Sequence, residues 1–384
     1  MNLVLVLLSL SAASVGLSIR AVEPMLPILA TEFSVTVPVA AQVITVFALL
    51  YAAGQFVHGP LGDRYGKLPV IAIMLLCAAG TFLGCALARD LASLTLWRAA
   101  AGIFSAAPFI LGMAYIGDTV SLEHRQTTIA QFVTGNVIGH AVGPLLSGVM
   151  TDAFGWRSMF VLLTGLFAVV GTMMAFLARA RRGMERPAAL GGSPVARYIA
   201  VVKMPKVQVL AWVAAVEAFF FFGAYAYVGA LLKERFDVSY TEIGLALAGL
   251  GVGGLVFNTS IRWLLRRLNP QRMVLSGGLA CGLLYIGIAL LPAWQPVYAL
   301  MIGLGFTFYM LHNVLQTHAT EASPQARGIG MSIFGIAWTI GQSLGVALMG
   351  AGIAAFGFAS MIAALGVGFA MLGVWMRFNL QRLP

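Results

Sequence analysis

Four ionisable side chains lie inside long apolar runs of this sequence: Arg20, Glu23, Arg98 and Glu217. An ion at the centre of a membrane helix costs roughly 2.5 to 3.5 kcal/mol, so such residues must face a protein interior or a wet cavity, where they can handle protons or substrate. Burial favours the neutral form of a carboxyl, which is the condition for carrying a proton near neutral pH. Glu217 lies deep in its run with no charged neighbour on the same stretch, and is the expected principal proton carrier. Glu23 is then the secondary or substrate-side acid. In the plainer alternative, Arg20 and Glu23, three positions apart on one helix face, simply pair with each other, or Arg20 snorkels to a surface. The plainer alternative for Glu217 is a neutral acid bonded to a neighbouring helix. His140 is a secondary candidate, since histidine changes charge near neutral pH, or else a packing residue.

The elements that carry these groups are membrane spans. The chain has 384 residues, is 60% hydrophobic and 9% charged, and has a mean hydropathy of +0.93, whereas a water-soluble domain carries nearer a quarter charged residues. Twelve apolar runs, each near the roughly 20 residues needed to cross a bilayer, cover 3–30, 38–58, 68–87, 92–116, 127–150, 158–178, 207–232, 241–261, 273–291, 296–317, 328–353 and 357–376. They are helices 1 to 12 in chain order. The expected fold is an all-α integral membrane protein. A basic stretch with Pro187, Gly191, Gly192 and Pro194 parts it into domains 1–178 and 207–384, with 179–206 as linker. A leader peptide is a poor reading of 3–19 because no Lys or Arg precedes Arg20.

The net charge of +10 is topological rather than a nucleic-acid patch, because the basic residues are strung singly through apolar sequence. With both termini cytoplasmic, 17 of the 23 Lys and Arg fall on the inner side and four on the outer, the bias that retains short basic loops inside. The halves echo each other: Ser121 and Arg125 recur as Ser323 and Arg327, 202 residues on. An internal repeat of six-helix units suits a transporter with a midplane site.

Between helices 2 and 3 stands Gly59-Pro-Leu-Gly62-Asp63-Arg64-Tyr-Gly66-Lys67, expected to form a tight loop. It resembles the loop signature of the major facilitator superfamily, with Pro60 and Leu68 as departures. The resemblance implies twelve helices in two pseudo-symmetric six-helix bundles around a central cavity, and implies that Asp63 holds the two halves together near Pro324 to Gly330. Arg98 followed by Gly102 resembles the superfamily's helix-4 pattern, in which the Arg is implicated in proton transfer; Ala101 stands where the family has Gln. Helix 5 carries Gly135, Gly139, Gly143, Pro144, Ser147 and Gly148, a small-residue stripe with a proline kink. It resembles the antiporter motif of drug/proton exporters, with Ala130 and Ser147 replacing two glycines.

These resemblances imply a proton-coupled exporter of a small amphipathic molecule, drug-like or metabolite, in a bacterial-type inner membrane. Sugar or nucleoside export and proton-coupled uptake are the alternatives within transport, with a non-transporting receptor or enzyme more remote. Phe219 to Phe222 and Tyr225 in helix 7, and Phe306, Phe308 and Tyr309 in helix 10, form the expected cavity aromatics and suit a lipophilic or cationic molecule. No metal-ligand cluster or hydrolase motif occurs in the sequence, so no enzyme is expected. The expected coupling ion is H+ with no cofactor, and the expected partners are the lipid bilayer and one small-molecule substrate, with the protein a monomer. Cys77, Cys85 and Cys281 sit in apolar runs as core residues.

The orientation is tested with a single cysteine at position 192 in a cysteine-free background. An impermeant thiol reagent added to intact cells should fail to label it, and efficient labelling would reverse the assignment.

Overall fold

A single residue reverses the chain between helices 2 and 3. In the computed structural model, which describes residues 3–181, 194–323 and 326–380, helix 2 runs as Val37–Ala40 and Gln42–Tyr65, and helix 3 starts at Lys67. Only Gly66, with φ of +89°, takes a left-handed turn. The expected nine-residue loop is therefore wrong. Gly59 and Gly62 are helical, and packing explains why: a Cβ at Gly62 would meet Leu111 of helix 4, so that glycine serves close approach rather than a turn.

Eleven stretches among the described residues are long and apolar enough to cross a membrane, and the last, Gly328–Asn379, has 52 residues. At about 1.5 Å per residue it is more than twice the bilayer core of ~30 Å. Gly357, with φ of +76°, breaks it into helices 11 and 12, which restores twelve passes. The other helices are Lys67–Ala86 (3), Leu91–Ser105 with Ala107–Thr119 (4), Leu122–Phe154 (5) and Arg157–Ala180 (6). In the second half they are Pro205–Phe236 (7), Tyr240–Arg267 (8), Pro270–Leu290 (9) and Val297–Glu321 (10). Pro108 bends helix 4 at Ala106. Residues 182–193 of the expected linker lie outside the described residues, and its remainder includes a short helix, Pro194–Val202.

Helix 1 is one span, Leu3–Glu32, as expected, but not one unbroken helix. Leu3–Arg20 ends at mid-depth, Glu23–Met25 makes one 3-10 turn, and Leu26–Glu32 resumes. Pro24 and Pro27 cannot donate to the helix ladder, which is the physical reason for the break.

Helices pair by a repeated rule. Helix 1 packs along helix 5, 2 along 4 and 3 along 6; in the second half 7 packs along 11, 8 along 10 and 9 along 12. The repeat reaches single contacts. A Cβ at Gly139 or Gly143 of helix 5 would strike the backbone of Ala13 or Leu17 of helix 1. Gly341 and Gly345 of helix 11, 202 residues on, lie in the same way against Ala215 and Phe219 of helix 7. Backbones this close exclude any side chain, which is how small residues drive helix association where lipid removes the hydrophobic incentive.

The halves meet along helices 5 and 8 and along 2 and 11. The face where helix 6 ends and helix 7 begins is the basic face. On the far face, Gly148 abuts Tyr240, Pro144 abuts Gly244, and Pro38 lies by Gly350. Toward the basic face, helices 4 and 5 make no extended packing with helices 10 and 11 among the described residues. The two halves are thus in direct backbone contact at the far face.

Gly139→Leu should prevent the approach of helices 1 and 5. Overpacking of this kind costs roughly 1–3 kcal/mol or more, so the purified variant should melt at a lower temperature than the parent; an unchanged melt would show that helix 1 can move aside.

Candidate functional site

The buried ionisable groups gather at the break of helix 1 and on the facing side of helix 7. Arg20 and Glu23 are both buried, with Nη1 of Arg20 3.1 Å from Oε1 of Glu23. The Arg20 guanidinium also lies 4.0 Å from the ring centre of Phe222 and 5.4 Å from that of Tyr225, both on helix 7. This contact crosses from one half to the other, and a desolvated cation over aromatic faces is held electrostatically. Phe222 and Tyr225 stand 202 residues after Arg20 and Glu23, so the pair rests on its own repeat equivalents.

The carbonyls near the end of the first segment of helix 1 need donors that the broken helix cannot supply. Neighbouring spans supply them. Arg98 Nη1 donates to Ser18 O at 3.4 Å, and Ser147 Oγ donates to Ala21 O. Asn136 Nδ2 donates to Ala12 O at 3.0 Å, deeper along helix 1. Arg98 further donates from Nε to Val43 O at 3.5 Å and stacks 3.9 Å from the centre of Phe47. Its Nη2 and the Oε2 of Glu23 have no hydrogen-bond partner. His140 lies beside Gly16 of helix 1, and its Nε2 is likewise without one.

Glu217 is fully buried, and its carboxyl is not alone. His312 of helix 10 places Nδ1 2.9 Å from Oε2 and 3.1 Å from Oε1. The partner comes from another helix, which is the bond to a neighbouring helix that the plainer alternative described. The imidazole stacks on Phe308 at 5.1 Å and 17°, with Trp338 of helix 11 at 5.9 Å and Phe334 at 6.0 Å. Phe222 touches Trp338 at 4.9 Å, so the Arg20 cluster and the Glu217 cluster share a wall. His312 was legible as a histidine inside an apolar run, the same signal that singled out His140; the aromatic residues around it drew the attention instead.

The remaining expected residues divide. Tyr309 lies 6.3 Å from the His312 ring, at the edge of the cluster. Phe306 packs on Phe257 between helices 8 and 10, and the backbone of Phe219 is pressed on Gly345, so these two build the helix bundle. Of the helix-5 stripe, Gly135, Gly139 and Gly143 face helix 1, while Pro144 and Gly148 face helix 8 of the other half. Asp63 meets Lys67 at 3.5 Å, and Lys67 meets Asp118 at 2.6 Å, tying helices 2, 3 and 4 within one half. Arg64 stacks on Tyr65. The segment expected to receive Asp63 includes 324 and 325, which lie outside the described residues. Two cavities lie away from Glu217: about 360 Å³ at the far face, lined by Thr31, Glu234 and Phe358 among others, and about 240 Å³ at the basic face beside Tyr115 and Arg181.

A family profile described as Major Facilitator Superfamily matches residues 8–346. The chain is 26% identical over 366 residues to an MFS-type transporter of Bacillus subtilis (strain 168), YwfA, across 92% of this chain and 86% of that one. It is 28% identical to the efflux pump radE of Floropilus chiversii, across 44% of this chain and 32% of the pump. Among solved structures, a bacterial homologue of the human lysosomal transporter Spinster, inward-facing and occupied, superposes with a TM-score of 0.77 at 18% identity, covering 99% of this chain and 97% of its own. A peptide transporter, POT, gives 0.79 at 14% identity, with 99% and 94% covered.

Glu217 and His312 should behave as a coupled pair. In a double-mutant cycle of thermal stability with Glu217→Gln and His312→Asn, the interaction energy should fall in the range of roughly 0.5–3 kcal/mol expected for directly bonded residues. Additive effects would break the pair.

Proposed function

The chain belongs to the Major Facilitator Superfamily, and we propose that this transporter is a proton-coupled exporter that moves a small amphipathic molecule outward by alternating access. The observation that carries this reading is the buried Glu217–His312 pair set among Phe222, Phe308 and Trp338. A carboxyl hydrogen-bonded to an imidazole can pass a proton between the two groups, and the surrounding rings offer apolar faces to a lipophilic substrate. Glu217 is the principal proton carrier. Glu23, already engaged by Arg20, is the secondary acid.

Antiport requires that proton and substrate compete for one state of the protein, so each must lower the other's affinity by the same factor. A substrate that stacks in the aromatic cluster and disturbs the Glu217–His312 bond satisfies this requirement. The helix-5 stripe supports the export direction through its likeness to the antiporter motif, and its Pro144 and Gly148 form the far-face seam with helix 8. The positive-inside bias supports the basic face as the cytoplasmic one, from which an exporter loads.

Inverted membrane vesicles test the reading with a panel of lipophilic dyes. Accumulation should follow an imposed pH gradient and collapse when the gradient is dissipated; uptake that ignores the gradient would remove proton coupling. Glu217→Gln mimics the protonated acid, and should abolish gradient-driven accumulation while leaving dye binding measurable but independent of pH between about 5.5 and 8.5. Retained accumulation with retained pH dependence would exclude Glu217 as the carrier.

A further inference from the structure

Helix 8 starts on the far face at Tyr240, and its first amides are received by two different halves of the molecule. Ser239 caps it locally: its Oγ accepts from the amide of Glu242 at 3.2 Å, while the Glu242 carboxyl accepts from the Ser239 amide at 2.7 Å. That box leaves the amides of Tyr240 and Thr241. Both are taken by Asp152 from the last turn of helix 5, in the other half. Oδ1 accepts from Tyr240 N at 3.2 Å, and Oδ2 accepts from Thr241 N at 2.6 Å and from Thr241 Oγ1 at 2.6 Å.

The approach that permits this is set one helical turn earlier. Gly148, four residues before Asp152, lies against Tyr240 so closely that a Cβ there would collide with the carbonyl. A carboxyl at the amino end of a 28-residue helix meets the positive end of its dipole as well as its free N–H groups. The arrangement has no repeat counterpart: 202 residues beyond Asp152 stands Ala354, whose side chain has no acceptor, and the seam of helices 2 and 11 closes instead through Pro38 beside Gly350.

We infer that Asp152 is the far-face latch of this transporter, a positioning residue that holds helices 5 and 8 together while the far face is closed and must release helix 8 for that face to open. The latch is one-sided. Separation of the two helices leaves two amides and a hydroxyl to water and frees the carboxyl, so the bonds weigh only on the closed state, and an interaction made in one of two states sets their ratio. The inference needs alternating access but not proton coupling, so its test involves neither substrate nor gradient.

The test uses a single cysteine, Thr151→Cys, in a background with Cys77, Cys85 and Cys281 replaced. Thr151 is buried on the same face of helix 5 as Gly148 and Asp152, so an impermeant maleimide from the far side reaches it only when the seam opens. Asp152→Ala should speed its labelling roughly tenfold, as expected for losing charge-assisted hydrogen bonds at a helix end. Asp152→Asn, which keeps one acceptor, should fall between. A control cysteine at Leu87, exposed on the far-face connection of helices 3 and 4, should label at one rate in all three proteins. Equal rates at position 151 with and without Asp152 would overturn the latch. Acceleration at both positions would assign the effect to general loosening, and would overturn it too.

Discussion

Backbone polar groups inside a bilayer must be satisfied within the protein, and the break in helix 1 makes that constraint acute. Two prolines interrupt the ladder at mid-depth, and carbonyls around the interruption are met by side chains from helices 4 and 5: Arg98 on Ser18 and Ser147 on Ala21. The donor from helix 5 reaches because the glycines of that helix bring it against the backbone of helix 1. The small-residue stripe, the buried Arg of helix 4 and the broken helix are therefore one construction. It leaves Glu23 in a short turn rather than a rigid helix, with one oxygen on Arg20 and the other without a partner. Broken helices at the midplane are where transporters of this architecture place their sites.

The scaffold is symmetric and the chemistry on it is not. Glycine contacts recur at an offset of 202 residues in both halves. The buried ionisable groups do not recur: the equivalents of Arg20 and Glu23 are Phe222 and Tyr225, and the equivalent of Glu217 is Val15. Repetition at the close-packed positions follows from the geometry that two like bundles require, which tolerates no larger residue. Positions that face the space between the bundles carry no such restriction, and there the halves have diverged into an ion pair on one side and an acid–imidazole pair on the other.

The spans, the repeat offset and the depth of the four ionisable residues were legible because hydropathy and burial cost act along the chain, on consecutive residues. What escaped depends on pairs far apart in sequence. His312 meets Glu217 across 95 residues, and Asp152 meets Thr241 across 89; neither partner announces the other. The break in helix 1 was written locally in Pro24 and Pro27, yet the surrounding apolar run masked it, since hydropathy does not register a missing amide. The loop signature erred in the other direction. Its three glycines invited three turns, but tertiary packing of Gly62 on Leu111 keeps the helix going to Tyr65, and Gly66 alone does the turning.

The two charged clusters also differ in what joins them. Glu217 and His312 sit on helices 7 and 10 of the same half, so a rocking of one half against the other leaves their bond intact. Arg20 and its aromatic cage belong to different halves, and that contact must change when the halves move. One element touches both clusters. Phe222 has that position: its ring lies under Arg20 at 4.0 Å, against Trp338 at 4.9 Å and against Phe308 at 5.8 Å, the latter two being the rings that flank His312. Phe222 thus joins the Arg20 contact to the aromatic rings packed around His312. A close-packed aromatic chain of this kind connects the interface between the halves to an acid–imidazole pair that lies wholly within one of them.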